Sequence, residues 1–285
     1  MKNEVQNVLS TQTLQASLGV KGTFGRWLAN LCIKLLEMDK VNRTQAKYAH
    51  LDGPDFSDAI LQEAGITYDV PAEQLENIPL EGGFITVSNH HFGAADGLIL
   101  GSTVGRRRSD YRILTTFLLS AVPNLRSSFL PVDNLSGSTN ARSVNGIRMA
   151  LTHIASGGGL GLFPAGEVAT WQKRGKRPAG TRFFQIQDKP WAPNIIKLIR
   201  KSGLPVVPIY FEGHNSLSFH LLGLLHRRLR TGRLVHELFN KQGTHIRVRI
   251  GEPIPPEELS QYDVPTLATL LRERTYALAA QCKED

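Results

Sequence analysis

The chain has 285 residues, 41% apolar and 20% charged, a soluble-globular mixture long enough for one large domain or two small ones. Its two cysteines, Cys32 and Cys282, lie near opposite ends and supply neither a disulfide framework nor a metal-ligand spacing. The formal net charge of +8 is gathered in three groups: Arg106 to Arg108; Lys173, Arg174, Lys176, Arg177 and Arg182; and Arg227, Arg228, Arg230 and Arg233. Such groups suit anions, whether acidic lipid head groups or phosphorylated carriers, and equally serve as solvated surface. Nucleic acid is not expected, since no helix-turn-helix, zinc-finger or RNA-binding signature accompanies the charge. No N-terminal signal pattern is present, and the longest apolar runs, residues 113–122 and 204–211, are far shorter than the roughly 20 residues of a spanning helix. A reducing cytoplasm is the expected compartment, with the protein on a membrane rather than through it.

In chain order, residues 1–22 are polar and patternless and are expected to form a flexible arm. From Thr23, the residues Phe24, Trp27, Leu28, Leu31 and Leu35 recur at helical spacing, predicting an amphipathic helix that packs on the domain or lies in a membrane interface. A second helix is expected over residues 55–64 and an irregular link over 65–80, so residues 23–80 form a helical N-terminal segment.

The core is expected over residues 81–258. Residues 83–87 read as a strand, 98–104 as a helix, and 112–117 and 128–132 as strands, followed by a loop at 133–139. A helix fits residues 141–155 and ends in Gly157, Gly158 and Gly159. A strand then leads into Pro164 and Gly166, and residues 171–180 read as a long exposed basic loop, a lid or anion contact. Residues 194–202 predict a helix and 205–211 a buried strand. Residues 245–250 alternate, with Ile246, Val248 and Ile250 facing the core and His245, Arg247 and Arg249 facing solvent. Residues 259–285, carrying Leu267, Leu270, Leu271 and Leu278, predict a final helix packed on the core. The alternation argues for a single α/β domain with a mainly parallel central sheet flanked by helices.

The chemistry concentrates in residues 88–97, SNHHFGAADG, which follow a core strand. A histidine held by an aspartate is a general-base arrangement, because the carboxylate fixes the imidazole tautomer and stabilises the imidazolium. Either His90 or His91 can be the base with Asp96 as partner. Neither spacing puts both side chains on one helix face, since five residues turn about 500° and six about 600°. The turn at residues 92–94 must make the pairing, and Gly93 suits it.

Four blocks, NHHFGAAD, FLPVD, FPAGE and VVPIYFEG, resemble in order and spacing the glycerolipid acyltransferases with a His-x-x-x-x-Asp motif. The likeness is greatest to the hemolysin-like branch that includes ornithine- and glycine-lipid O-acyltransferases, whose pattern is similar to residues 89–93, 163–168, 188–191 and 208–216. That resemblance implies a glycerolipid acyltransferase-like fold and an O-acyltransferase needing no cofactor. Acyl-CoA or acyl-carrier protein would be the thioester donor and a lyso-aminolipid or lysophospholipid the acceptor, at the inner face of the cell membrane. It implies His90, His91 and Asp96 as catalytic candidates and no metal. For substrate it implies Asn89, Phe92, Gly93, Phe163, Pro164, Gly166 and Glu167; related glycerol-phosphate enzymes carry an arginine at the position of Val132, for which Arg142 or Arg148 could substitute here. Ala165 stands where the family usually has an acidic residue. A 1-acylglycerol-3-phosphate acyltransferase and a non-catalytic membrane-binding protein are the alternatives.

Overall fold

The computed structural model describes residues 11, 12, 15, 21–116, 122–132, 141–173 and 184–283. Most of the expected N-terminal arm, the loop at 133–139 and the basic stretch at 174–182 lie outside them. Helices α1 (Gly22–Leu35), α2 (Met38–Lys47) and α3 (Gly53–Glu63) precede β1 (Ile66–Asp69), α4 (Ala72–Leu75), β2 (Phe84–Ser88), α5 (Ala94–Arg107), β3 (Arg112–Thr116) and β4 (Phe129–Val132). There follow α6 (Ala141–Ala155), β5 (Gly159–Leu162), β6 (Thr170–Lys173), β7 (Phe184–Gln187), α7 (Pro193–Ser202), β8 (Val206–Phe211) and α8 (Leu217–Leu225). The remainder is α9 (Arg227–Gly232), α10 (Leu234–Phe239), β9 (Thr244–Ile250), α11 (Pro256–Ser260) and α12 (Val264–Ala277).

Among the described residues, seven strands form one sheet in the order β1-β9-β8-β2-β5-β3-β4. All its neighbours run parallel except β8 and β9. The fold is therefore mixed α/β with a mainly parallel sheet flanked by helices, as the alternation of elements predicts. Side-chain alternation divides the core in two. Phe84, Ile113, Val207, Ile209 and Phe211 face Phe56 of α3 and Ile99 of α5. On the other face, Ile85, Val87, Leu114, Leu160 and Leu162 meet Ile195 and Ile199 of α7 and Leu267 and Leu271 of α12. Strands β2 and β8 are buried at every residue, the pattern of central strands covered on both faces. Small residues in β5 admit an aromatic pair between the layers. A Cβ on Gly161 would sit 2.2 Å from the Tyr111 hydroxyl, and Tyr111 stacks on Phe84 at 5.9 Å.

Four expectations are corrected. The link at 65–80 contains β1 and α4, too short to show periodicity. The helix after the histidines starts at Ala94, four residues before the apolar pattern begins. The loop at 171–180 starts as β6, which pairs antiparallel with β7. Arg249 is buried rather than solvent-facing, because β9 lies inside the sheet between β1 and β8. Its guanidinium is paired with Asp69 at 2.7 Å.

Candidate active site

β2 delivers residues 88–90 to the carboxyl end of the sheet, where α/β folds place their sites. The chain must then reverse into α5. Gly93 makes that reversal with φ 83°, a value that disfavours any side chain, and a Cβ there would lie 2.9 Å from Leu234 Cδ2. Asp96 falls in the first turn of α5, where free backbone donors favour a carboxylate. Its Oδ2 accepts from the Phe92 and Gly93 backbone N–H groups at 2.9 and 3.0 Å. The same oxygen lies 2.9 Å from His90 Nδ1. With Nδ1–H donating to the buried carboxylate, Nε2 carries the lone pair.

The rest of His90 is fixed as well. Its ring stacks on Phe163 with centroids 4.1 Å apart, its backbone N–H donates to Asp188 Oδ1 at 3.1 Å, and its carbonyl accepts from Ala169 N–H at 2.6 Å. The second oxygen of Asp188 accepts from Trp191 Nε1 at 3.1 Å. Burial of Asp188 pushes its pKa above the usual carboxylate value, opposed by the nearby His91 and the hydrogen bond from His90. From α12, the Tyr276 hydroxyl accepts from the Asp188 backbone N–H at 2.9 Å.

His91 points elsewhere. It is buried beside Tyr210 and Tyr276, with Nε2 3.3 Å from the Tyr276 hydroxyl. Desolvation holds its pKa below the ordinary histidine value. The chain thus brings Asp96 to the histidine with five intervening residues, His90, and leaves His91 in the core.

His90 opens onto a cavity of about 350 Å³ whose walls are largely apolar, including Phe56, Ile60, Leu98, Leu125, Phe129 and Leu238. That size is within the roughly 300–1,000 Å³ of small-molecule sites. Of the candidates for substrate contact, Gly93, Phe163, Gly166 and Glu167 line the same cavity.

Others have structural employment. Both amide atoms of Asn89 are used on the Phe211 backbone, at 2.8 and 2.9 Å, tying β2 to β8. Phe92 is buried beneath Lys241, whose Nζ lies 4.9 Å from its ring centroid. Pro164 is buried, with its carbonyl accepting from Ala192 N–H at 2.9 Å. The side chain of Arg142 lies outside the described residues.

Glu167 carries an ion pair on each oxygen. It is gripped by Arg230 Nη2 at 2.8 Å and Lys189 Nζ at 2.5 Å. Arg230, Phe219 and Leu234 from helices α8 to α10 complete the cavity wall. Sequence reasoning missed these helices, and the only signal for them was the basic cluster around Arg230.

Beside that wall, His220 is buried, with neither ring nitrogen hydrogen-bonded among the described residues, stacked on Trp171 and edge-on to His214 and Phe219. Desolvation, with His214 and Arg230 adding to it and Glu237 opposing, pushes its pKa down to about 4 from 6.5. The unfolded chain therefore takes up a proton that the folded chain refuses. This contribution is complete above pH 6.5 and is lost as pH falls toward about 4. Thermal melts of a His220→Leu variant should lose less stability between pH 7 and 5 than the parent does. An unchanged acid dependence would show that His220 is not its source.

An imidazole held by a carboxylate can accept a proton at its free nitrogen, and this one opens on a largely apolar cavity at the carboxyl end of the sheet. The acyltransferase family profile matches residues 8–283, and the chain belongs to that family of enzymes. It is 24% identical over 261 residues to the lyso-glycine lipid O-acyltransferase of Phocaeicola vulgatus, covering 89% of this chain and 88% of that protein. To the protein of the same description from Bacteroides thetaiotaomicron it is 26% identical over 239 residues, covering 81% and 82%. Among solved structures, the 1-acyl-sn-glycerophosphate acyltransferase PlsC of Thermotoga maritima aligns with TM-score 0.43 and 17% identity, over 79% of this chain and 82% of that one.

Proposed function

We propose that this acyltransferase moves a fatty acyl group from acyl-CoA or acyl-carrier protein to the hydroxyl of a lyso-lipid, at the inner face of the cell membrane. A lyso-aminolipid of the kind named in its relatives is the favoured acceptor. The observation that carries the reading is His90, locked to Asp96 through Nδ1 and facing an apolar cavity. His90 Nε2 takes the acceptor's hydroxyl proton as its oxygen attacks the thioester carbonyl carbon. The new C–O bond forms, the C–S bond breaks, and the imidazolium returns the proton to the leaving sulfur. Asp96 holds the imidazolium, and the cavity shelters acyl methylenes from water.

Peripheral membrane binding is supported by α1, where Trp27 is 59% exposed and Leu31 37% exposed, while Ala29 and Ile33 face inward. Among the described residues, no helix is long and apolar enough to cross a membrane.

The test is acyl transfer by the purified protein, with labelled acyl-CoA and acyl-carrier protein offered against lyso-aminolipids and lysophospholipids. Label should enter the lyso-aminolipid. Incorporation into lysophosphatidic acid alone would replace the acceptor by the glycerol-phosphate one, and no incorporation into any lyso-lipid would remove the reading.

A further inference from the structure

Helix α8 lacks a polar face. Its sequence, LSFHLLGLL, has Ser218 and His220 as its only polar side chains, and both Phe219 and His220 are turned inward and buried. The opposite side is also apolar: Leu217 is 64% exposed, Leu221 48%, Leu224 66% and Leu225 76%. At 100° per residue these four leucines fall within about 100° of the helix circumference, and Leu229 of α9 is exposed as well. A surface helix normally turns its polar residues outward. Five exposed leucines on adjoining helices form the sort of apolar patch that marks a docking surface.

Three observations select a lipid bilayer as the occupant. First, the same helices supply Phe219, Arg230 and Thr231 to the wall of the cavity, and Thr231 is exposed, so the leucine face borders the cavity rim. A chain-bearing substrate moving between bilayer and cavity would cross an apolar threshold there. Secondly, the sequence following the leucines is basic, with Arg227 and Arg228 directly between Leu225 and Leu229, the composition that suits anionic head groups. Thirdly, the segment directly after α1, the helix that carries the exposed Trp27, is joined to this unit. Glu37 Oε1 lies 2.6 Å from His236 Nδ1 of α10, and Gly232 of α9 packs under Leu36.

We propose that the leucine face of α8 and α9 inserts into the membrane interface beside the cavity mouth and delivers lipid substrate to it. This rests on the lipid reading above and adds the surface that meets the lipid. The interface suits this composition: exposed leucines can enter the acyl boundary, and the basic sequence that follows them suits anionic head groups.

The experiment compares the parent with a Leu221→Glu/Leu225→Glu variant by flotation on phosphatidylglycerol–phosphatidylcholine vesicles. Both leucines are exposed and neither lines the cavity, so the fold and the base are untouched. Vesicle affinity should fall about tenfold or more, as expected for replacing two buried leucines by charge. Acylation of a vesicle-borne acceptor should fall in parallel, whereas acylation of a short-chain, water-soluble lyso-acceptor should be retained. Unchanged flotation overturns the proposal, as does an equal loss of activity on both acceptors. A parent dimer that the double substitution splits into monomers would assign the face to a second copy instead. A parent that floats through these leucines but acylates no lyso-lipid would sink the acceptor assignment and leave the membrane surface standing.

Discussion

Replacing His90 with alanine is expected to lower kcat by roughly 10²–10⁴-fold, the usual contribution of a positioned general base. The variant should stay folded, because the ring's partners are a stacked Phe163 and a carboxylate that keeps its two backbone donors. Asp96→Asn should lose a similar factor by another route. An amide no longer enforces the tautomer with Nδ1 protonated, nor does it stabilise the imidazolium. His91→Ala is the contrasting case. It removes a buried ring packed between Tyr210 and Tyr276, so it should cost about 2–4 kcal/mol of stability while changing kcat less than tenfold. Single-turnover kinetics with urea titrations on the three variants separates these outcomes. A dead His91→Ala beside an active His90→Ala would reverse the assignment.

The second large effect is expected at Asp188, which does not line the cavity but accepts from the backbone of His90, which does. Asp188→Ala leaves the His90 backbone N–H and the Trp191 indole N–H without their acceptors. The indole donor is buried and the His90 donor part-buried, so the expected cost is about 2–4 kcal/mol. The rate should fall as well, by about 100-fold, because loosening the backbone of the base by about 1 Å is enough for that. Asp188→Asn retains an acceptor oxygen for one of the donors and should recover part of both losses. A positioning role further requires that kcat fall more than KM rises, measured under conditions where the variant is fully folded. A variant with lowered stability and unaltered kcat would reduce Asp188 to a structural residue.

The sheet and its burial were largely legible because its central strands are short apolar runs, such as residues 206–211, bounded by turn residues. The outer strand β1 was not legible. Four residues, ITYD, show no period, and its place was set by pairing with β9 far along the chain. The same limit hid the burial of Arg249, whose partner Asp69 lies on that unread strand. At the site, the residue types at 88–97 offered two histidines as partners for Asp96 but could not choose between them. The choice is made by the reversal at Gly93 and by Asp188, a residue remote in sequence. Glu167 was visible in its motif, whereas Arg230 and Lys189, which hold it, were visible only as charge.

Tyr276 ties this arrangement to a helix distant in sequence. Its hydroxyl secures the Asp188 backbone, and Arg272 from the same helix donates to the Asp188 carbonyl at 3.1 Å and to Gln187 Oε1 at 3.0 Å. The segment that steadies His90 is thus itself clasped by a helix translated almost two hundred residues after the histidine. A nascent chain that has already emerged with all its motifs would still lack the clasp. The support of His90 by this route therefore exists only once residues 264–277 are docked on the sheet.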